Sequence, residues 1–268
     1  MLRVESRYFF LSSIIVLIIS CQTVPITGRQ QLILVPAETV LSMSFTSYRD
    51  FLSEHNVITD TEEALMVKRV GLQIQHAVER YFDGRNMSHW LTGYEWEFNL
   101  VEDESINAWC MPGGKVVVYT GMIPIAKDDT GMAVVIGHEV AHAVARHGDE
   151  RLSQGLLAEM GGVALSAALS QKPKETNELF MTAYGLGAQI GFLLPYSRLQ
   201  ESEADRLGMI FMAMGGYDPH GAVDFWKRLT SAKVGVSPPE FLSTHPADET
   251  RIRSIEKLIP EAMRYYRK

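Results

Sequence analysis

An α+β fold, mostly helical with a small antiparallel-type sheet, is predicted by three features of the sequence. Tyr94-Glu95-Trp96-Glu97-Phe98-Asn99-Leu100 alternates apolar and polar residues as a half-buried strand does. Lys115-Val116-Val117-Val118-Tyr119 is a second β-type run, bounded by Gly113-Gly114 and Gly121. Capping signals and apolar stripes at helical spacing dominate the remainder.

Residues 1–20 read as a signal peptide: Arg3 and Arg7 precede an apolar run from Tyr8 to Ile19, too short for a membrane span. Ile18-Ile19-Ser20-Cys21 resembles a bacterial lipobox, which makes Cys21 the expected lipidation site. Residues 21–40, with Pro25 and Pro36, are expected to be an arm joining that anchor to a domain over 41–268. Thr59 and Glu62 form a capping box for a helix to about Phe82, with Val67, Val70, Ile74 and Val78 as its stripe. A buried helix is expected from about Met132 to His147, with Asp128 and Asp129 before it. Gly137 within that helix leaves room for a close neighbour. The apolar stretches 155–170 and 179–194 are too short or too polar to span a bilayer and are expected to form a helical hairpin over a cleft. Asp218-Pro219 and Pro246 open further helices.

The chain has 268 residues, of which 46% are hydrophobic, enough for a sizeable core. Its formal charge is −7, and one unit more negative once residues 1–20 are removed, which argues against a nucleic-acid partner. The basic residues of the last segment, Arg251, Arg253, Lys257, Arg264, Arg267 and Lys268, interleave with acidic ones and are expected on a solvated face. With Cys21 acylated, Cys110 has no partner and reads as a small buried apolar residue.

The chemistry concentrates in His138-Glu139-Val140-Ala141-His142. Residues four apart share a helical face, so His138 and His142 present two imidazoles to one metal ion. Glu139 lies about 100° further round, positioned as general base rather than ligand. His147, about 140° off that face, is excluded as a ligand and is expected near the helix C-terminus. The third ligand is expected from Ser197-Arg198-Leu199-Gln200-Glu201-Ser202-Glu203-Ala204-Asp205. Glu201 and Asp205 share one face and Glu203 points to the other, so Glu201 ligates while Asp205 orients a histidine. Lone histidines at 55, 76, 89 and 220 read as structural or surface residues.

These pieces carry a resemblance. Thr27-Gly28-Arg29-Gln30-Gln31-Leu32, Asn107-Ala108, Pro112-Gly113-Gly114, Tyr119-Thr120-Gly121, the His138–His142 motif, Ser197-Arg198 with Glu201–Asp205, Gly216-Tyr217-Asp218-Pro219 and Thr244-His245-Pro246 occur in this order. The chain thereby resembles the CAAX-prenyl-protease/HtpX-like zinc metallopeptidases, and within them the soluble lipoprotein branch (BepA/LoiP-like). The resemblance implies a zincin-like fold, one Zn2+ held by His138, His142 and Glu201, and Glu139 as general base. It implies a lipid-anchored metalloendopeptidase on the periplasmic face of the outer membrane, acting on misfolded or misassembled envelope proteins and working with outer-membrane assembly machinery. The strand 115–119, through Val116, Val117 and Val118, is expected as an edge that pairs with substrate backbone, with Asn107 nearby. His245 is expected close to the metal, either as oxyanion donor or as an inhibitory ligand. A non-catalytic envelope chaperone with a structural zinc is the alternative; an integral-membrane prenyl-protein protease is disfavoured by the missing spans.

Overall fold

The computed structural model describes residues 21–24, 27–160, 173–184, 197–232 and 239–266. The expected signal peptide lies outside them. The segment expected as an arm is structured: β1 (Cys21–Thr23) pairs antiparallel with β2 (Gln30–Leu32), and α1 (Ala37–Glu54) follows. Ile33 and Val35 are buried.

After β3 (Val57–Ile58) comes α2 (Glu62–Asp83), capped by Thr61, whose side chain accepts from the Ala64 amide; Thr59 instead bonds Asp60. Its apolar stripe, Val67, Val70, Ile74 and Val78, is buried as its spacing requires. β4 (Glu97–Val101), β5 (Ala108–Met111) and β6 (Lys115–Tyr119) complete a four-stranded sheet of order β3-β4-β6-β5. The sheet is mixed, not antiparallel throughout: β4 and β6 run parallel, whereas β3 pairs with β4, and β5 with β6, antiparallel.

This topology corrects the expected edge. The Pro112-Gly113-Gly114 turn folds β5 back onto β6, so β6 is paired on both sides and its Val116, Val117 and Val118 cannot offer free backbone to a substrate. Among the described residues, β5 is the outer strand on that side. Both faces of the sheet are covered. Val116 and Val118 pack with Ala108 and Cys110 in the main core, while Val117 and Tyr119 pack with Trp109 and Met111 in a second core. The period of two along each strand accounts for this division.

A short helix α3 (Ile123–Ala126) leads to α4 (Asp129–Val144), the centre of the molecule, buried from Gly131 to Val144 and capped by Asp128. It packs against α2, β5, α7 (Arg198–Met214) and α8 (Gly221–Ser231). Its crossing with α7 is a backbone contact: a Cβ at Gly137 would lie 3.0 Å from the Gly208 carbonyl oxygen, and one at Gly208 would lie 2.9 Å from the His138 amide nitrogen. Two glycines therefore let the helices that carry both acidic and histidine motifs touch directly.

α4 ends three residues before the expected stop. Ala145 caps it, Arg146 takes a left-handed φ of 58°, and His147 opens α5 (His147–Met160). α5 packs against α6 (Pro173–Ala183), and Leu152, Leu156, Leu179 and Phe180 join the second core. The stretches 155–170 and 179–194 otherwise lie outside the described residues. Among the described residues no helix is long and apolar enough to cross a membrane. The chain closes with α9 (Glu240–Thr244) and α10 (Glu249–Ala262).

Candidate metal centre

Four side chains from three parts of the chain converge. α4 contributes His138 and His142, α7 contributes Glu201, and the residue after α9 contributes His245. All four are buried, and one donor atom from each lies within 4.8 Å of the others. His138 Nε2 is 3.1 Å from His142 Nε2 and 3.2 Å from His245 Nδ1. Glu201 Oε1 is 3.0 Å from His245 Nδ1 and 3.3 Å from His142 Nε2. A tetrahedral zinc with bonds of about 2.0–2.1 Å holds its donors about 3.3 Å apart. The donor set and its spacing therefore fit that ion.

Glu139, on the same helix, is also buried, and its Oε1 has no hydrogen-bond partner among the described residues. The nearest cation-capable group is His245 Nε2 at 3.4 Å. Burial pushes the Glu139 carboxyl upward, against the pull of His245 and His138. A carboxyl pushed upward in this way accepts a proton more readily than an ordinary one.

Each α4 histidine is held from behind. His138 Nδ1 lies 3.2 Å from Asp205 Oδ1, which orients its Nε2 toward the cluster. Burial alone would depress the His138 pKa, but Asp205 and Glu201 outweigh it and raise it to about 9. Burial holds His142 well below the usual imidazole value. His142 Nδ1 is 2.9 Å from His147 Nδ1, and His147 Nε2 is 3.2 Å from Glu203 Oε2. The left-handed turn at Arg146 brings His147 back under the site. It lies outside the four-donor group, and it sits at a helix N-terminus rather than a C-terminus.

One further expectation is corrected, and one residue gains partners that spacing did not show. Glu203 points away from the donor cluster as expected and is buried, accepting from Thr27 Oγ1 and, at 2.7 Å, from Arg29 Nε. Arg251 does not lie on a solvated face. Its NH1 is 2.6 Å from Glu201 Oε2, its Nε and NH2 donate to Asp205 at 2.9 and 2.8 Å, and its guanidinium lies 3.8 Å over the Trp226 ring. Despite the desolvation that opposes it, Arg251 and the neighbouring histidines keep Glu201 well below the ordinary carboxylate range and lower Asp205. The signal for Arg251 was present: 251, 255, 258 and 262 repeat at helical spacing, and Ile255 and Ala262 are buried.

The other site residues are placed more plainly. Asn107 is buried at the start of β5, where its Oδ1 accepts from the Ala108 amide and its carbonyl accepts from Tyr119. Both bonds are local to the hairpin. Cys110 is buried, and desolvation holds its thiol well above the usual value, as for an apolar filler. His76, His89 and His220 are exposed, and His55 bonds its own helix through Phe51.

The model of peptidase family M48 matches residues 69–259, a span holding every donor named above. The chain belongs to that family. Its class is that of the family's site, a metallopeptidase with His138, Glu139 and His142 in the helix motif. Relatives include the mitochondrial metalloendopeptidase OMA1 of Saccharomyces cerevisiae, 30% identical over 90% of this chain and 70% of the relative. That of Schizosaccharomyces pombe is 31% identical over 89% of this chain and 66% of its own length. The beta-barrel assembly-enhancing protease of Yersinia pestis is 31% identical over 58% of this chain and 32% of its own length. The chain thus spans about two thirds of the two yeast relatives and about a third of the bacterial one.

Proposed function

We propose that this chain is a zinc metalloendopeptidase, lipid-anchored through Cys21 in a bacterial envelope, that removes misfolded or misassembled envelope proteins. The observation that carries the chemistry is the buried four-donor cluster with Glu139 beside it, one carboxylate oxygen accepting no hydrogen bond among the described residues. Bound zinc supplies Lewis acidity, polarising a carbonyl and lowering the pKa of an attacking water. Glu139 accepts the proton of that water and passes it to the leaving amine. Asp205 and His147 hold the two motif histidines in the tautomer that leaves each Nε2 free to donate its lone pair. A substrate strand would add to the outer edge of β5, fixed mainly through backbone hydrogen bonds, which suits loose sequence selectivity.

His245 occupies the position a catalytic site leaves open, stacked on Phe241 at 4.5 Å. We read this as a closed, latent state, from which His245 must withdraw before a peptide enters. The fourth protein donor is also what favours the second reading, a structural zinc in an envelope chaperone. Against it stands Glu139, a buried carboxylate that a structural site does not need.

The envelope location rests on Arg3, Arg7, the apolar run and the Ile18–Cys21 motif, together with relatives named as beta-barrel assembly-enhancing proteases. The relatives named as mitochondrial cover more of the chain, so shared chemistry is a firmer inheritance than shared location. Casein degradation by the protein lacking residues 1–21, abolished by chelation and restored by zinc, is the expected result. Intact casein under every zinc condition supports the chaperone. Cys21→Ala is expected to release the protein from membrane fractions; persistent association would refute the lipid anchor.

A further inference from the structure

Residues 21–24 and 27–34 form more than a connection to an anchor. Gln22 accepts from Arg146 at 2.9 Å, at the left-handed turn between α4 and α5. The Ser153 hydroxyl accepts from the Leu34 amide at 2.9 Å, further along α5. Between these points Thr27 and Arg29 both reach Glu203 on α7, and Arg29 also donates to Glu150 on α5 at 2.9 Å. Gln200 of α7 closes the ring by donating to Glu150 at 2.8 Å. The β1–β2 hairpin is thus bonded to both helices that flank His147.

We propose that this N-terminal hairpin is a positioning strap for the metal centre, acting through Arg29, Glu203 and His147 on His142. The inference rests on the reading of His142 as a metal ligand. The hydrogen-bond logic runs in one direction. A carboxylate only accepts, so Glu203 takes the His147 Nε2 proton, in addition to those from Thr27 and Arg29. His147, neutral, then has a lone pair at Nδ1 and accepts from His142 Nδ1. That fixes the His142 tautomer with its Nε2 lone pair facing His138 and Glu201, where the ion is expected. Without Arg29, Glu203 keeps only Thr27 and His147 as hydrogen-bond partners among the described residues, and the carboxylate that orients His147 loses the fork that fixes its position. Thr27 and Arg29 are positioning residues; neither approaches the reacting atoms.

The test uses the full chain, with zinc affinity measured by competition against a chromophoric chelator and the ligand field read from the visible spectrum of the cobalt-loaded protein. Arg29→Ala and Glu203→Gln are expected to weaken zinc binding about 10–100-fold and to shift the cobalt spectrum. Arg29→Lys keeps the charge but loses the fork that reaches two carboxylates, and is expected to recover part of both. If Glu203→Gln does not fold, Thr27→Val removes a single hydroxyl and is expected to weaken zinc severalfold. A folded Arg29→Ala protein with wild-type zinc affinity and cobalt spectrum overturns the strap, even if its metal-free form melts lower. Wild-type protein that takes up no zinc overturns the metal centre itself, a result the variants cannot mimic.

Discussion

The two motif histidines are one helical turn apart, yet they are supported from opposite ends of the chain. His138 leans on Asp205, four residues after Glu201, and Asp205 is clamped by Arg251 of the C-terminal helix α10. His142 leans on His147, which leans on Glu203, which is held by Arg29 of the N-terminal hairpin. The first support is a direct 3.2 Å contact from His138 Nδ1 to Asp205 Oδ1, and it ends in a fork lying over Trp226. The second has an added imidazole link and ends in a more accessible arginine: the Arg29 side chain is 18% exposed, against 9% for Arg251. The contrast teaches that α7 uses both of its faces. One presents a ligand and its direct support, and the other anchors a relay to a segment 174 residues away in sequence.

The largest effect is expected at the shorter arm. Arg251→Ala leaves Glu201 and Asp205 buried without their cation and should destabilise the metal-free protein by about 3–5 kcal/mol in urea unfolding. A loss below about 1 kcal/mol would mean that His138 alone neutralises the pair. Next, Asp205→Ala should lower zinc affinity about 10–100-fold, and His147→Ala should fall toward the lower end of that range because it lies on the relayed arm. A reversed order would show the relay to be the dominant support.

The second arm also has a pH signature. Desolvation raises Glu203, but hydrogen bonds from His147, Thr27 and Arg29 win and bring it to about 2, below the usual 4.5. The folded pKa is depressed, so the unfolded chain binds the proton first. This contribution to stability is therefore present above about 4.5 and is lost as pH falls toward 2. Arg29→Ala should flatten the difference between stability measured at neutral pH and in that acid window. The smallest effect is expected outside both arms: the half-exposed Arg206–Glu261 pair should change stability by less than about 1 kcal/mol on Arg206→Ala.

Much of this was legible in local spacing. His138 and His142 at i and i+4, and Glu201 and Asp205 likewise, dictate shared faces before any fold is known. Gly137 announced a close approach, and the structure supplies its partner in Gly208. What was not legible depended on tertiary geometry. A continuous helix through His147 would have pointed that residue away, whereas the left-handed Arg146 reverses it into the site. Glu203 is off the ligand face in any helix, but only the β1–β2 hairpin makes that side buried. The edge strand was misassigned because a β-branched run bounded by glycines identifies a strand and says nothing of its place in the sheet. Arg251 was hidden by its charge, although its spacing to Ile255 and Ala262 put it on the apolar stripe.

In the proposed function Glu139 works as a base beside a metal it does not bind. Glu139→Gln keeps the shape of the side chain and removes its basicity, while His138, His142, Glu201 and His245 remain. Zinc content and casein turnover measured on the same purified protein test the claim together. One zinc per chain with peptide hydrolysis abolished is the expected result; turnover near the wild-type rate, with the metal in place, would remove Glu139 from the role of base.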